Sequence, residues 1–247
     1  SDPVWNLLDV YRPKEQKGNL PVIVNIHGGG WVYGNKEIYQ FYGMSLAQKG
    51  FAVVNFNYRL APENQFPAQL CDVNSVVEWM YQNQDTYGLD MERVFMVGDS
   101  AGAHLCGLYS AICTDADYAA EYPFTVPRRF VPTAVALNCG VYCPLGEKNV
   151  IGSEDDKDLM EDLLPEKGSE RERKMVNVTD HVNPHFPPVY LMTCVGDFCY
   201  PQAFLLEEEL KKQGVEYTFR IYGTEEKPLY HVFHVNMKEP AGAECNR

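Results

Sequence analysis

Short apolar runs alternate with amphipathic stretches along almost the whole chain, and this alternation restricts the fold more than any other feature. Several runs, such as VYLMTCV, are almost continuously apolar, which is typical of parallel strands covered on both faces. Strands are predicted at Trp5–Tyr11, Val22–His27, Phe51–Tyr58, Val94–Val97, Ala134–Asn138, Val189–Val195 and Glu216–Tyr222. Helices are predicted at Tyr39–Lys49, Gln69–Gln82, Ala101–Cys113 and Gln202–Gln213. The alternation predicts an α/β fold with a doubly wound, mostly parallel sheet.

Chain length and one polar stretch predict the domain organisation. The chain has 247 residues, of which 45% are hydrophobic, so we expect a single domain over residues 1–247. From Leu145 to Pro188 the alternation is interrupted by a strongly charged stretch with two short helix candidates, Asp156–Leu164 and Glu170–Met175. We interpret this stretch as a small cap insertion that leaves the sheet on its ligand side and returns.

Charge, hydropathy and cysteine spacing disfavour several classes of protein. The net charge of −13 disfavours nucleic-acid binding, because phosphate contacts need clustered Lys and Arg. No apolar run approaches the ~18 residues of a membrane span. The eight Cys lack zinc-ribbon spacing and are predicted to be reduced core thiols, which favours a cytoplasmic protein. No signal-peptide pattern opens the chain, but its first residue is Ser1, so a removed leader peptide stays open.

A glycine-flanked serine, in the motif Gly98-Asp99-Ser100-Ala101-Gly102, follows the apolar strand VFMV and opens a predicted helix. A Ser on such a strand-to-helix turn sits in a strained conformation, and the flanking glycines avoid collisions with the neighbouring strand and helix. The turn directs the hydroxyl toward the carboxyl end of the sheet, where ligands bind in this architecture. Ser100 is therefore the predicted nucleophile.

A second glycine-rich motif, His27-Gly28-Gly29-Gly30-Trp31, directly follows the strand VIVNI. Alone, this motif is compatible with a tight turn or a phosphate loop. Together with the serine turn it favours acyl transfer, because backbone N–H groups can stabilise the negative charge that develops on a carbonyl oxygen. The predicted oxyanion-hole donors are the N–H groups of Gly29, Gly30 and Ala101. His27 is predicted to orient the loop.

The chain resembles the hormone-sensitive-lipase-like branch of the α/β-hydrolases, which includes many bacterial carboxylesterases. The resemblance is carried by both motifs and by the run between them, NYRLAPENQFPAQLCD. The resemblance extends from about Leu8 to Val235. It implies an α/β-hydrolase fold with an eight-stranded sheet, a small cap, and a Ser-Asp-His triad in that chain order. The chain departs from the pattern at Gly102-Ala103-His104, where many members carry Gly-Gly-Asn. This AGAHL form also resembles arylformamidases.

The chain order implied by the resemblance points to the other two triad members. Asp197 ends the apolar run VYLMTCVG and precedes a predicted helix, so it is the predicted triad acid; an Asp at a helix N-cap is the alternative. Of the six His, only His231 and His234 follow Asp197. The family commonly has Phe two residues after the catalytic His, and Phe233 stands in that position relative to His231. His231 is therefore the predicted base, and His234 is predicted to be a surface or helix-packing residue.

These residues predict a serine hydrolase that cleaves short-chain carboxylic esters through an acyl-enzyme. Its partner would be a small-molecule ester, and the mechanism requires neither a metal nor an organic cofactor. Two alternatives use the same triad, an arylformamidase-like amide hydrolase and a carbohydrate acetyl esterase. A third is a non-catalytic hydrolase fold that binds a small molecule. The sequence does not predict the oligomeric state.

Overall fold

The computed structural model describes residues 5–145 and 154–247. Its strands are β1 (Leu8–Tyr11), β2 (Leu20–Ile26), β3 (Ala52–Phe56), β4 (Leu89–Asp99), β5 (Ala134–Asn138), β6 (Val189–Cys194) and β7 (Tyr217–Tyr222). They form one seven-stranded sheet in the order β1-β3-β2-β4-β5-β6-β7. Only β1 is antiparallel to its neighbour, and all other pairs are parallel. The predicted α/β class and mostly parallel sheet are confirmed.

The sheet has one strand fewer than the eight implied by the family resemblance, so that expectation is wrong for the described part of the chain. β1 lies at the edge and pairs only with β3. It begins at Leu8, although the sequence predicted a strand from Trp5. The segment RPKEQKGN between β1 and β2 is polar, contains Pro and Gly, and is mostly exposed. It therefore forms a loop and supplies no second antiparallel strand.

Helices are present at all the predicted places. They are α1 (Gln40–Ala47), α2 (Ala68–Tyr87), α3 (Ala101–Thr114), α4 (Ala116–Ala119), α5 (Glu154–Leu163), α6 (Glu170–Val176), α7 (Tyr200–Gln213) and α8 (Pro240–Cys245). Short 3₁₀ turns lie at Pro127–Arg129, Val178–Asp180 and Phe233–Val235. α2 continues beyond its predicted end to Tyr87 and is terminated by Gly88, whose φ is 58°. Within the described ranges, no helix combines the length and hydropathy needed to span a bilayer.

The two faces of the sheet pack into different apolar clusters, as β2 shows. Because successive side chains of a strand point to opposite faces, Val22 and Val24 join the main core, which includes residues of α2 and α3. Ile23 between them joins a second cluster with Leu46 of α1. Both faces of β2 are covered, and this is why its run is apolar at consecutive positions.

Strand register brings the ends of β2, β4 and β5 together at the carboxyl edge of the sheet. Ile26 pairs with Gly98, and Asp99 pairs with Asn138. The loop after β2 therefore starts beside the turn after β4. Both glycine motifs begin at this edge.

The chain leaves the sheet at the same edge after β5 and returns at β6. Between these two strands lie α5 and α6, whose bounds agree within two residues with the two helix candidates predicted in the insertion. α6 begins with a capping box in which Ser169 and Glu172 satisfy each other's backbone N–H groups. Residues 146–153 of the insertion lie outside the described ranges. Its interpretation as a cap on a single domain stays a prediction.

Candidate active site

Ser100 occupies the turn between β4 and α3 with φ 53° and ψ −122°. A positive φ is unfavourable for a residue with a Cβ and persists only where the surrounding structure imposes it. A Cβ on Gly98 would collide with the carbonyl of Gly102, and a Cβ on Gly102 would collide with the carbonyl of Ile26. The two glycines thus let α3 start directly against β2 and β4. The strained conformation predicted for Ser100 is confirmed.

The glycine loop after β2 touches this serine turn. A Cβ on Gly28 would lie 2.6 Å from Oδ2 of Asp99 and 3.3 Å from Cβ of Ser100. The next two residues, Gly29 and Gly30, have φ values of 125° and 53°. Their N–H groups meet no acceptor among the described residues, so both can be donated to a ligand.

One pocket of about 100 Å³ contains Ser100 together with Gly30 and Ala101. Gly29 is not among its lining residues and lies one position back in the loop. The other walls are mostly apolar and comprise Trp31, Tyr33, Val141, Pro144, Leu159, Met160 and Phe198. The structure therefore brings three of the predicted residues to a single small cavity.

A larger pocket, of about 430 Å³, lies against β4, β5 and β6 and is separate from this cavity. Phe95, Ala136 and Tyr190 are among its lining residues, and none of the predicted site residues is. Of the two, the smaller pocket is the candidate active site, because it contains the strained Ser100 and Gly30, whose N–H group has no acceptor among the described residues.

Asp197 and His231 are hydrogen-bonded to each other. The Nδ1–H of His231 donates to Oδ1 of Asp197 at 2.6 Å. An isolated bridge between Gly196 and Tyr230 pairs the two loops immediately ahead of these residues. The ring of Phe198 packs on that of His231 with a centroid separation of 4.1 Å. Since Phe198 also lines the Ser100 pocket, it connects the pair to the cavity.

The carboxyl group of Asp197 is buried but ionised. Burial raises its pKa, but the hydrogen bond and charge of His231 and the N–H of Cys199 lower it further, and the net result lies below the usual value. Thr193 Oγ1–H donates to the second carboxylate oxygen at 3.0 Å. α7 begins at Tyr200 with Cys199 at its N-cap, so Asp197 is not the helix cap that was the alternative.

His234 lies in the core and is not part of this pair. It is 1% exposed, and Asn138 Nδ2 lies 3.3 Å from its Nε2. Burial lowers its pKa to about 3, so the ring is neutral. Of its two predicted roles, packing is confirmed and a surface position is wrong. The reason is that α8 and Asn246 close over this turn, with Asn246 Nδ2 donating to the carbonyl of His234.

Cys139 lies beside the pair, and its thiol, a carboxylate oxygen of Asp197 and a ring nitrogen of His231 fall within 4.8 Å of one another. The 2.6 Å between Nδ1 and Oδ1 is a hydrogen-bond distance. It is shorter than the ~3.3 Å between two ligands of one tetrahedral zinc ion. The nearby thiol of Cys139 instead helps to lower the pKa of the Asp197 carboxyl group.

His27 packs against the residues that position the glycine loop. Its ring stacks on Tyr58 at 4.1 Å, and its Nδ1 lies 2.7 Å from the carbonyl of Gly28. Tyr58 Oη–H donates to the carbonyl of His27 at 3.0 Å. Burial lowers the pKa of His27 to about 4, so it packs as a neutral ring. This arrangement agrees with the predicted role in orienting the loop.

His104, in the variant AGAHL motif, connects three parts of the site. Trp31 Nε1–H donates to its Nδ1 at 3.2 Å, which leaves Nε2–H to donate to the carbonyl of Val176 at 2.7 Å. Burial lowers the pKa of His104 to about 4, which keeps the Nδ1 acceptor free of a proton. The glycine loop, α3 and the end of α6 are thereby joined.

Several contributors were not found from the sequence. The walls Leu159 and Met160 come from the charged insertion, where no local pattern marks them. Thr193 had a weak signal, because it is the polar residue of an otherwise apolar strand end. Tyr39 and Asp99 lie near and inside the recognised motifs, but only the structure shows their contact.

The parallel sheet, the strained serine turn, the glycine loop and the Asp–His pair together define an α/β-hydrolase. The chain belongs to the BD-FAE family, whose model matches residues 8–209. This match and the fold confirm the resemblance noted in the sequence. The assignment of triad and oxyanion-hole roles to single residues stays a prediction.

Among solved structures, the chain is similar to esterase B from Lactobacillus rhamnosis inhibited by a C4-C4 SN3 tributyrin phosphonate. The two share 29% identity with a TM-score of 0.90, and the match covers 100% of this chain and 79% of that one. A bacterial heroin esterase shares the fold, with 21% identity and a TM-score of 0.80 over 97% of this chain and 75% of that one.

Among curated proteins, the chain is 36% identical over 124 residues to the esterase LipC of Mycobacterium tuberculosis, covering 49% of this chain and 30% of LipC. It is 36% identical over 107 residues to the carboxylesterase NlhH of the same organism, covering 43% of this chain and 34% of NlhH. The chain thus spans about a third of the length of these relatives.

Proposed function

We propose that the chain is a carboxylesterase that cleaves short-chain acyl esters through an acyl-enzyme on Ser100. One observation carries the proposal: a strained serine shares a small apolar pocket with backbone donors, beside a hydrogen-bonded Asp197–His231 pair. The relatives named as esterases support it. A non-catalytic hydrolase fold is less consistent with the structure, since all three predicted triad residues are present.

In the proposed mechanism Ser100 Oγ attacks the carbonyl carbon of the ester. Because the Nδ1–H of His231 is bound to Asp197, the other ring nitrogen, Nε2, accepts the serine proton. Asp197 fixes this tautomer and stabilises the imidazolium. His231 then protonates the leaving alcohol, and a water molecule repeats the sequence on the acyl-enzyme.

The oxyanion of each tetrahedral intermediate would accept hydrogen bonds from Gly29, Gly30 and Ala101. Such donors matter most in the transition state, because the charge they stabilise develops only there. A glycine loop and a helix start provide them without side chains. The succession of positive φ values in the loop is therefore part of the proposed catalytic machinery.

The size of the pocket supports short acyl chains. Its volume of about 100 Å³ is well below the ~300–1,000 Å³ typical of sites for drug-sized ligands. Leu159 and Met160 of α5 close it on the insertion side. We therefore place the preferred acyl length at about two to six carbons, since each methylene gains at most ~0.8 kcal/mol and only where a wall buries it.

The nucleophile can be tested by labelling with p-nitrophenyl butylphosphonate and mapping the adduct by mass spectrometry. The adduct is expected on the peptide that contains Ser100, and Ser100→Ala should lower kcat for p-nitrophenyl acetate by roughly 10⁴-fold or more. Ser110→Ala is the matched control, because Ser110 lies on the same helix, its hydroxyl donates to the carbonyl of Cys106, and it does not line the pocket. Near-normal turnover by folded Ser100→Ala would refute the proposal.

A substrate panel separates the ester reaction from its two alternatives. p-Nitrophenyl butyrate, an aryl formamide and an acetylated xyloside should be compared by kcat/KM, together with emulsified long-chain triglyceride. We expect butyrate to be fastest. A formamide or an acetylated sugar that exceeds it by tenfold or more would replace the proposed substrate class while leaving the triad intact. Faster cleavage of the triglyceride would contradict the short-chain preference.

A further inference from the structure

Tyr39 lies between the glycine loop and the serine turn and is hydrogen-bonded to both. Its hydroxyl accepts from the N–H of Gly28 at 3.0 Å and donates to Oδ2 of Asp99 at 2.7 Å. Tyr39 and Asp99 are only 6% and 2% exposed, so water hardly competes for these bonds. A single phenol hydroxyl thus joins the loop that carries the oxyanion donors to the turn that carries Ser100.

We propose that Tyr39 and Asp99 are positioning residues that clamp the oxyanion loop onto the nucleophile turn during acyl transfer. This inference rests on the proposed esterase function. Neither side chain lines the substrate pocket, so neither is a catalytic residue. They act through Gly28, whose backbone is continuous with the donors at Gly29 and Gly30.

The surroundings of the clamp make it rigid. Tyr39 belongs to the apolar cluster that also contains Tyr42 and Leu46 of α1 and Val53 of β3. The phenol is therefore anchored on the sheet face opposite the main core. On the other side, the loop lies so close to Asp99 that a Cβ on Gly28 would come within 2.6 Å of the carboxyl oxygen. The absence of a side chain at Gly28 and the hydrogen bond from Tyr39 therefore both allow the glycine loop to lie directly against Asp99.

The electrostatic environment of Asp99 shows which replacement preserves the clamp. Tyr39 and Tyr42 face it from the α1 side, Tyr58 from the end of β3, and His231 from the loop after β7. Burial raises the pKa of Asp99 to about 7 against the opposing effects of the Tyr39 hydrogen bond and the His231 charge. Whether the carboxyl group is charged or neutral, its oxygen can accept the hydrogen bond that the phenol donates. Asn keeps that acceptor oxygen, and Ala removes it.

The expected consequence is a loss of kcat with little change in KM, because the oxyanion forms after the substrate is bound. Removing one oxyanion donor outright lowers kcat by about 10²–10³-fold in a comparable site. Removing a residue that only supports the donors should have a smaller effect, and we expect about 10- to 100-fold.

The experiment compares Tyr39→Phe, Asp99→Ala, Asp99→Asn and the double variant Tyr39→Phe/Asp99→Ala with the wild type. Tyr42→Phe is the matched control, since Tyr42 is equally buried and belongs to the same cluster. Turnover of p-nitrophenyl butyrate is divided by the number of active sites, counted by exhaustive labelling with p-nitrophenyl butylphosphonate. This division removes any loss that reflects unfolded protein alone.

We expect Tyr39→Phe and Asp99→Ala to lower kcat per labelled site by 10- to 100-fold with KM within threefold. Asp99→Asn should stay within fivefold of the wild type, Tyr42→Phe within twofold, and the double variant should be no worse than the worse single variant. Values of kcat per site within twofold of the wild type for Tyr39→Phe and Asp99→Ala would overturn the clamp. Should Tyr39→Phe not fold, the comparison of Asp99→Asn with Asp99→Ala decides by the same criterion.

The test distinguishes failure of the clamp from failure of the esterase assignment. If the wild type is labelled at Ser100 and Tyr39→Phe retains full turnover, only the clamp is refuted. If the wild type is neither labelled nor active on the ester, the proposed function itself fails, and the clamp falls with it.

Discussion

The buried carboxyl group of Asp99 should make the stability of this protein depend on pH in a way that one substitution removes. Burial raises its pKa from 3.8 to about 7 in the folded state, whereas the unfolded chain keeps the ordinary value. Between these two pH values the folded protein binds more protons at this site than the unfolded chain does. The free energy of unfolding therefore falls as pH rises through this window, and the penalty is complete above pH 7.

The size of the effect follows from the two pKa values. At 1.36 kcal/mol per pH unit, a difference of about three units gives a penalty of about 4 kcal/mol at pH 8. At pH 5 the same relation gives about 2 kcal/mol. Asp99→Asn cannot ionise, so its stability relative to the wild type should improve by roughly 2–3 kcal/mol between pH 5 and pH 8. The new amide N–H₂ costs about 1–3 kcal/mol if it is left unpaired, but this cost is the same at every pH.

Urea unfolding followed by tryptophan fluorescence at pH 5, 6, 7 and 8 measures the difference. The comparison with Asp99→Asn is needed because three buried His have the opposite sign. The pKa values of His27, His104 and His234 are lowered to about 4, 4 and 3 by burial, so their contribution is present above pH 6.5 and is lost as pH falls. These His are common to both proteins and cancel. A difference between the two proteins that stays constant within about 0.5 kcal/mol across this range would refute the reasoning.

Three further predictions concern the base, the acyl wall and the buried histidine of α3. His231→Ala should lower kcat by at least about 10³-fold, whereas His234→Ala should lower the thermal midpoint but keep kcat per labelled site within tenfold; the reverse result would reassign the base. Leu159→Ala should raise the kcat/KM of p-nitrophenyl octanoate relative to butyrate, by about fourfold for each methylene newly buried at ~0.8 kcal/mol. An unchanged ratio would mean that Leu159 does not limit the acyl chain. His104→Leu leaves the Trp31 indole N–H without its acceptor and should cost about 1–3 kcal/mol in urea unfolding; wild-type stability would contradict the bridging role.

Features that depend on local backbone chemistry were predictable from the sequence. Gly98 and Gly102 are required because α3 starts in contact with β2, and the same glycines are visible as a motif in the chain. Apolar periodicity located the strand ends within three residues where burial on both faces leaves a continuous apolar run. The start of β4 differs more: it lies at Leu89, five residues before the predicted Val94, because the segment LDMER is mostly polar. The strand count was the exception, because it came from the family resemblance and not from a pattern in these residues.

Features that depend on contacts between distant segments were decided by the tertiary structure. Chain order admitted both His231 and His234 as the base. Pairing of the loops through Gly196 and Tyr230 brings His231 to Asp197, whereas His234 turns into the core. The His-x-Phe pattern taken from the family resemblance favoured His231, but no physical property of the local sequence separates the two histidines, because they are only three residues apart.

The sequence by itself therefore determined the α/β class, the serine turn and the glycine loop, because glycine, strand periodicity and turn chemistry act over a few neighbouring residues. Tertiary structure alone decided the hydrogen bond between His231 and Asp197, the phenol bridge from Tyr39 to Asp99, and the closure of the pocket by Leu159. Each of these joins side chains from segments far apart in the chain. Their distances follow from how the strands and helices pack, and no local pattern encodes that packing.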